Sequence, residues 1–186
     1  MTTDLGTLTP RPDGRWELRY RRVLPHPPEK VWQALTEPEH LEVWFPSTIE
    51  GERVIGAPLT FRFDKVDDVV DGEVLAFEPP KLFELRWGED ILRFDLHPTA
   101  EGTVLEMVDT ITELGKAARD GAGWHECLDR LPDAITLAAP TVAWGARWNE
   151  VHPAYVDAFG PAAASIGPPE GHDSAYVDST RADTAD

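Results

Sequence analysis

Residues 121–137 read GAGWHECLDRLPDAITL, and this stretch sets the architecture predicted for the rest of the chain. Apolar residues recur there at helical spacing and share one face, namely Trp124, Cys127, Leu128, Leu131, Ala134, Ile135 and Ala138. The opposite face carries His125, Glu126, Asp129, Arg130 and Asp133. The pattern predicts an amphipathic helix about 25 Å long, enough to lie across the sheet of a small domain. The single cysteine, Cys127, is predicted to be a packed thiol on the apolar face.

Upstream of this helix, residues 15–111 alternate between apolar and polar positions, with turn residues between the runs. The alternation predicts six or seven strands, within residues 15–24, 47–54, 57–64, 69–77, 82–87, 91–96 and 103–111. Pro28 and Pro38 suit the first turns of two short helices that follow the first strand. Because the connections between strands are short, the sheet is predicted to be antiparallel and the fold class α+β.

Downstream of the long helix, residues 142–159 carry Trp144 and Trp148 near helical spacing and predict a further helix. That helix could pack on the sheet, form a homodimer contact or offer an interaction surface. Pro132 is predicted to kink the long helix or end its first segment. The domain organisation predicted is a flexible lead-in at 1–13, one domain at 14–160 and an acidic, disordered tail at 161–186.

The charge of the chain excludes several classes of partner. The 34 acidic residues outnumber the 17 basic ones, which gives a formal net charge of −17. Such a chain is repelled by phosphate backbones and by anionic membranes, so neither nucleic acid nor a membrane is expected as a partner. No run approaches the roughly 18 apolar residues of a membrane span, and the first residues lack the apolar core of a signal peptide, so the protein is expected to be cytoplasmic.

Motifs for metal, cofactor or nucleophile chemistry are missing from the sequence. The six histidines form no HExxH pattern, and His97 and His125 are predicted to face solvent. The GAG at 121–123 lacks the third glycine of a dinucleotide fingerprint. None of the four serines lies in a G-x-S-x-G motif. The sequence therefore predicts no metal site, no cofactor and no catalytic nucleophile.

Four segments in a fixed order carry a family resemblance. They are PPEKVWQALTEPEHLEVWFP, FEPPKLFELRW, GTVLEMVDT and GAGWHECLDRL. Together they resemble the bacterial proteins similar to the C-terminal domain of the Hsp90 ATPase activator, within the START/Bet v 1-like (SRPBCC) helix-grip superfamily. The resemblance covers roughly residues 15–160 and implies a curved antiparallel sheet that grips the C-terminal helix around a hydrophobic cavity. No stretch corresponds to the additional N-terminal domain of the eukaryotic activators, so a chaperone partner is not expected.

The alternation of side chains in the strands and the helical spacing in the long helix indicate which side chains would face such a cavity. The predicted ligand-cavity residues are Trp44, Phe61, Phe63, Trp87, Phe94, Met107, Asp109, Trp124 and Leu128. Most of them would serve equally well as ordinary core. Asp109 is the polar group predicted to orient a ligand, unless it lies at the rim or pairs with an arginine. Arg22 shares the inward face of the first strand and could pair with an acid or with an anionic group of the ligand.

Three functions are compatible with this fold. The first is binding of a small hydrophobic or aromatic molecule in the internal cavity without chemistry. The second is an enzyme similar to polyketide cyclases and dehydratases, in which the inward carboxylate acts as general acid or base. The third is a co-chaperone-like interaction module, which would need an exposed apolar patch such as the helix at 142–159.

Overall fold

The computed structural model describes residues 4–63 and 69–168. Its strands are β1 Thr7–Pro10, β2 Trp16–Leu24, β3 Thr48–Glu50, β4 Pro58–Arg62, β5 Val69–Glu78, β6 Leu82–Trp87, β7 Asp90–Thr99 and β8 Gly102–Ile111. Its α-helices are α1 Pro28–Thr36, α2 Pro38–Trp44, α3 Ala117–Thr136 and α4 Ala146–Phe159. Short 3-10 helices cover Leu114–Lys116 and Pro161–Ala164.

The strands form one antiparallel sheet in the order β1-β2-β8-β7-β6-β5-β4-β3. β2 therefore pairs with β8, the last strand along the chain. Each strand from β8 back to β3 pairs with the strand that precedes it in the sequence. Helix α3 comes directly after β8 and packs against α1, α2 and β2. The α+β class and the helix-grip arrangement predicted from the sequence are confirmed.

The sheet has eight strands, one or two more than the six or seven predicted, and part of the predicted lead-in forms the additional strand β1. This strand pairs with β2, with Leu8 opposite Leu18. Just before it, the backbone N–H of Gly6 donates to the hydroxyl of Tyr155 on α4 at 2.8 Å. The sequence of β1, TLTP, is too short and too weakly alternating to predict a strand.

The C-terminal boundary also differs, since the predicted tail begins with folded residues. Ala163 in the second 3-10 helix is 1% exposed. The N–H of Ile166 donates to the carbonyl oxygen of Gly115 at 3.0 Å. Residues 1–3, 64–68 and 169–186, which include most of the predicted acidic tail, lie outside the described residues.

Helix α3 begins at Ala117, earlier than predicted, because the 3-10 turn Leu114–Lys116 leads directly into it. It continues through Pro132. Of the two predicted outcomes, a kink or an end of the first segment, the second is therefore wrong. Proline removes one backbone donor of the helix, and the turns on either side hold the helical conformation. The helix ends where Leu137 adopts a left-handed conformation, with φ of 54°.

Helix α4 packs against the face of α3 that was predicted to meet solvent. His125 is 0% exposed and Glu126 is 3% exposed, so the prediction of a solvent-facing polar side is wrong for both residues. Trp148, Val151 and Tyr155 are the residues of α4 buried in return. The apolar face proposed as an interaction surface is thus used within the chain. His97, in contrast, is exposed as predicted.

The buried side chains form one core between the concave face of the sheet and the helices. Its largest fully buried members are Trp44, Tyr20, Tyr155, Phe61, Phe83 and Phe94. Within the described residues, no helix is long and apolar enough to cross a membrane.

Candidate functional site

A cleft of about 410 Å³ opens between the sheet and α3. Its walls come from the ends of β6 and β8, the start of β7, the N-terminal half of α3 and the start of α4. The lining residues are Pro46, Phe63, Trp87, Asp90, Leu92, Asp109, Lys116, Arg119, Asp120, Gly123, Trp124, Glu126, Cys127, Trp144 and Trp148. This volume lies within the range of roughly 300–1,000 Å³ typical of small-molecule sites.

Aromatic rings form the apolar walls of the cleft. Trp87 and Trp124 meet edge to face, with ring centroids 5.2 Å apart and an interplanar angle of 88°. Phe63 lies 6.0 Å from Trp87 on the sheet side, and Trp144 and Trp148 line the side formed by α4. Rings held in fixed orientations offer flat surfaces for stacking, so the cleft suits a planar or aromatic guest.

The carboxyl group of Asp109 lies at the floor of the cleft. The residue is 2% exposed, and its β8 position lies between Leu18 of β2 and Leu92 of β7. The indole Nε1–H of Trp124 donates to Oδ2 at 2.9 Å. The second oxygen, Oδ1, has no hydrogen-bond partner among the described residues. The site therefore contains a buried polar atom that a guest could satisfy.

Burial is the main cause that raises the pKa of Asp109 well above its usual value, and the negative charges of Asp90 and Asp120 raise it further. Donation from Trp124 and the positive charge of Lys116 act in the opposite direction and are smaller. The carboxyl group is thus held in its neutral form over a wider pH range than an exposed aspartate.

Three ion pairs lie close to Asp109. The ammonium of Lys116 contacts the carboxylate of Asp90 and lies 3.5 Å from that of Asp120. The guanidinium of Arg119 donates to Asp120 at 2.7 Å. Oxygens of the three aspartates lie within 4.8 Å of one another, an arrangement from which a cation can be coordinated. The ammonium of Lys116 already pairs with two of these three aspartates. The absence of a metal site predicted from the sequence stays a prediction.

Glu126 connects α3 to the start of α4. Its Oε1 accepts the backbone N–H of Gly145 at 2.8 Å, and the backbone N–H groups of Arg147 and Trp148 also bond to its carboxylate. Burial raises the pKa of this carboxyl group. Glu126 thus fixes the start of α4, which carries Trp148, and the turn just before it, which carries Trp144; both tryptophans line the cleft.

The structure divides the predicted cavity residues into two groups. Phe63, Trp87, Asp109 and Trp124 line the cleft. Trp44, Phe61, Phe94, Met107 and Leu128 are buried in the core away from its lining. Phe61, for example, stacks on the lining residue Trp87 at a centroid distance of 5.2 Å and is itself fully buried. Ligand contact by the first group stays a prediction.

Other residues singled out in the sequence serve the fold. Arg22 lies 3.7 Å from Asp129 on α3, a structural ion pair. Cys127 is buried as predicted, and burial raises the pKa of its thiol. An unreactive thiol is therefore expected at this position.

Several residues of the site could not be identified from the sequence. Asp90 follows a tight turn and Asp120 lies in the first turn of a helix, so neither belongs to a recognisable motif. The one available signal is the spacing of Lys116 and Asp120, which favours an ion pair on a helix. The meeting of these residues at Asp109 depends on the placement of α3 over β7 and β8.

Replacing Asp109 with asparagine is expected to stabilise the fold at neutral pH. In the unfolded chain the carboxyl group titrates near pH 3.9, whereas its pKa in the fold is raised. The free energy of unfolding therefore falls as the pH rises from the pKa of Asp109 in the unfolded chain towards its pKa in the folded protein. Asp109→Asn cannot ionise, so it removes this loss. The gain in the free energy of unfolding at pH 8 is expected to be on the order of 1 kcal/mol.

Urea denaturation at pH values between 3 and 8 measures this effect. Glu106→Gln is the matched control, since Glu106 lies on the same strand with a side chain that is 39% exposed. The control should follow the wild type at every pH. A wild type that remains the more stable protein at pH 8 would contradict the burial argument.

Comparisons with known proteins agree with this architecture. The family model described as activator of Hsp90 ATPase homolog 1-like protein matches residues 25–136. No curated protein matches the sequence significantly. Among solved structures, CalU16 from Micromonospora echinospora is 23% identical, with a TM-score of 0.66 over 83% of this chain and 96% of that one.

Two further structures are somewhat more similar in sequence. MLL2253 from Mesorhizobium loti is 27% identical, with a TM-score of 0.58 over 67% of this chain and 99% of that one. DynU16, described as a protein in the dynemicin biosynthetic locus, is 26% identical, with a TM-score of 0.61. That match covers 68% of this chain and 49% of DynU16.

Proposed function

The chain belongs to the activator of Hsp90 ATPase homolog 1-like family. Within that fold, we propose that it binds a small aromatic molecule in the cleft between the sheet and α3, without transforming it. The observation that carries the proposal is Oδ1 of Asp109, a buried carboxyl oxygen without a hydrogen-bond partner among the described residues, in a side chain that lines the aromatic cleft. A guest that hydrogen-bonds to this atom would satisfy it while its rings stack among the tryptophans.

A solved neighbour gives separate support. DynU16 is described as a protein in the dynemicin biosynthetic locus. A structural neighbour in such a locus is consistent with a small organic molecule as the ligand of this fold. Since family membership itself does not specify a function, the proposal depends on the cleft and not on the family name.

The first experiment is gentle native mass spectrometry of freshly purified protein, followed by solvent extraction of anything carried along. A titration with 1,8-dihydroxyanthraquinone, a planar neutral probe, then measures binding by calorimetry. We expect one probe molecule per chain. A clean apo mass together with no binding of the probe would contradict the proposal.

Gly123 offers a graded test of the binding position. A Cβ built at this helical glycine would meet no atom within 4 Å, and the residue lines the cleft. Gly123→Phe is expected to fill the cleft and weaken binding of the anthraquinone at least about tenfold, a loss near 1.4 kcal/mol. Gly123→Ala adds one methyl group, so it should stabilise the helix by up to about 1 kcal/mol and change binding little.

The two variants together keep the test independent of folding. Thermal unfolding should show both to be at least as stable as the wild type, because each replaces a glycine inside a helix. If Gly123→Phe folds and binds the probe with unchanged affinity, the ligand does not occupy this cleft.

An enzymatic role is the second candidate, and a single observation favours it. Because its pKa is raised, Asp109 retains a proton that it could donate to a bound carbonyl compound. Incubating the extracted ligand with the wild type and with Asp109→Asn would separate the two functions. A product that forms only with the wild type supports an enzyme, and an unchanged ligand in both samples supports a binding protein.

A further inference from the structure

The charged residues of the cleft are unequally paired. Four carboxyl groups line it, on Asp90, Asp109, Asp120 and Glu126, against two basic groups, on Lys116 and Arg119. Glu126 is satisfied by backbone N–H groups of α4, and Asp90 and Asp120 by the two basic residues. Within the described residues, only Asp109 of these four has neither a basic side chain nor a backbone N–H group bound to its carboxyl group, and it is the most deeply buried of the three aspartates.

The cluster of Asp90, Asp109 and Asp120 already binds one ammonium group, that of Lys116. The ammonium of Lys116 contacts Asp90 and lies 3.5 Å from Asp120, so one cation serves two carboxylates. The third carboxyl group, at Asp109, lies close to both and adds capacity for a second cation. A guest carrying negative charge would instead meet an excess of acidic groups in a protein of net charge −17.

The aromatic walls suit the same kind of guest. Trp87 and Trp124 line the same cleft as Asp109, and a cation held over the face of an indole is attracted by the quadrupole of the ring. An organic cation with an aromatic body would thus find stacking surfaces and an acceptor within one cleft.

We propose that the cleft selects protonated aromatic amines, with the ammonium group bound at Oδ1 of Asp109 and the rings between the tryptophans of the walls. This inference rests on the proposed function and specifies the chemical class of its ligand. A neutral aromatic compound of the same shape should bind more weakly, because it forms no ion pair with Asp109.

Binding of an amine should release a proton. In the free protein the raised pKa of Asp109 favours the neutral carboxyl group, and pairing with an ammonium group favours the carboxylate. The proton leaves to solvent as the ion pair forms. The affinity for the amine should therefore rise with pH, until Asp109 ionises in the free protein or the amine loses its own proton.

The groups that face Asp109 from neighbouring elements bear on this linkage. Asp90 on β7 and Asp120 on α3 favour a bound cation, whereas Lys116 opposes it. Tyr20 on β2 stays neutral because burial raises the pKa of its hydroxyl well above its usual value. Trp124 donates to Oδ2 and leaves Oδ1 for the guest.

A matched pair of probes tests the inference, namely 1-naphthylmethylamine and its neutral counterpart 1-naphthylmethanol. Calorimetry at pH 7 in phosphate and in Tris buffer gives both the affinity and the number of protons released. We expect the amine to bind at least about tenfold more tightly than the alcohol, with proton release towards one per chain.

Asp109→Asn should remove the preference for the amine, bringing the ratio of the two affinities close to one. Glu106→Gln should keep that preference, because this residue on the same strand does not line the cleft.

The outcomes distinguish the preference for a cationic ligand from the proposed binding of aromatic molecules in general. Equal affinity of the amine and the alcohol, or an amine preference that survives Asp109→Asn, overturns the assignment of a cationic ligand and leaves aromatic binding in place. If neither probe binds, and 1,8-dihydroxyanthraquinone does not bind either, the proposed function itself is wrong and the inference fails with it.

Discussion

Alanine in place of Trp44 is expected to lower the free energy of unfolding by about 3–5 kcal/mol, the usual cost of deleting a large buried aromatic side chain. Trp44 is 0% exposed and packs edge to face on Phe45 and Phe94, at centroid distances of 5.3 and 6.0 Å. Its indole N–H also donates to the carbonyl oxygen of Ala34 at 2.7 Å. The substitution therefore leaves a cavity at the join of α1 and α2 and removes a hydrogen bond. Urea denaturation at pH 7 measures the loss.

Trp144 provides a control with the same chemical change. This side chain is 41% exposed and stacks with the guanidinium of Arg130 at 3.9 Å from the ring centroid. A cation–π contact near the surface contributes about 0.5–1 kcal/mol, so Trp144→Ala should cost no more than that. Similar losses for the two variants would show that Trp44 is not the core residue described above.

The second large effect is expected at Glu126, which holds the start of α4. Glu126→Leu removes the acceptor for the N–H of Gly145 and for the following N–H groups of Arg147 and Trp148. Loss of a cap typically costs up to about 2 kcal/mol, and loss of a negative charge at a helix N-terminus adds up to about 2 kcal/mol in a partly buried site. We therefore expect a loss of about 2–4 kcal/mol in the free energy of unfolding.

Amide hydrogen exchange would locate that loss, with faster exchange at residues 145–148 than in the strands. Glu150→Gln is the matched control, because Glu150 pairs with Arg147 from a side chain that is 69% exposed. Exposed ion pairs contribute about 0–1 kcal/mol. Equal destabilisation by the two substitutions would rule out a special role for Glu126. A loosened α4 should also weaken ligand binding, since Trp144 and Trp148 line the cleft.

Periodicity in the sequence was sufficient to predict most of the fold. The period-2 alternation within β2, β6 and β7 is strong because one face of each strand is buried. Pro28 and Pro38 mark the first turns of the two short helices. The strand TLTP shows no such pattern, because an edge strand of four residues buries too little surface.

The site was only partly predictable, for two physical reasons. The alternation of side chains along each strand separates buried from exposed positions. It does not tell which of the buried positions α1 and α2 cover. Trp44 and Trp87 therefore looked equivalent in the sequence, although only Trp87 lines the cleft. Polar residues such as His125 and Glu126 suggest a solvated helix face unless the helix that covers them is known.

The pairing of β2 with β8 also has a consequence for protein synthesis. Trp16 lies opposite Ile111, so β2 leaves the ribosome well before its partner, which follows roughly 95 residues later. At about 5–20 residues per second, the edge of β2 that pairs with β8 is without its partner for roughly 5–20 s. Arg19 and Arg21 are exposed in the folded sheet. Before β8 is synthesised, their positive charges lie along β2 and oppose its association with other nascent chains.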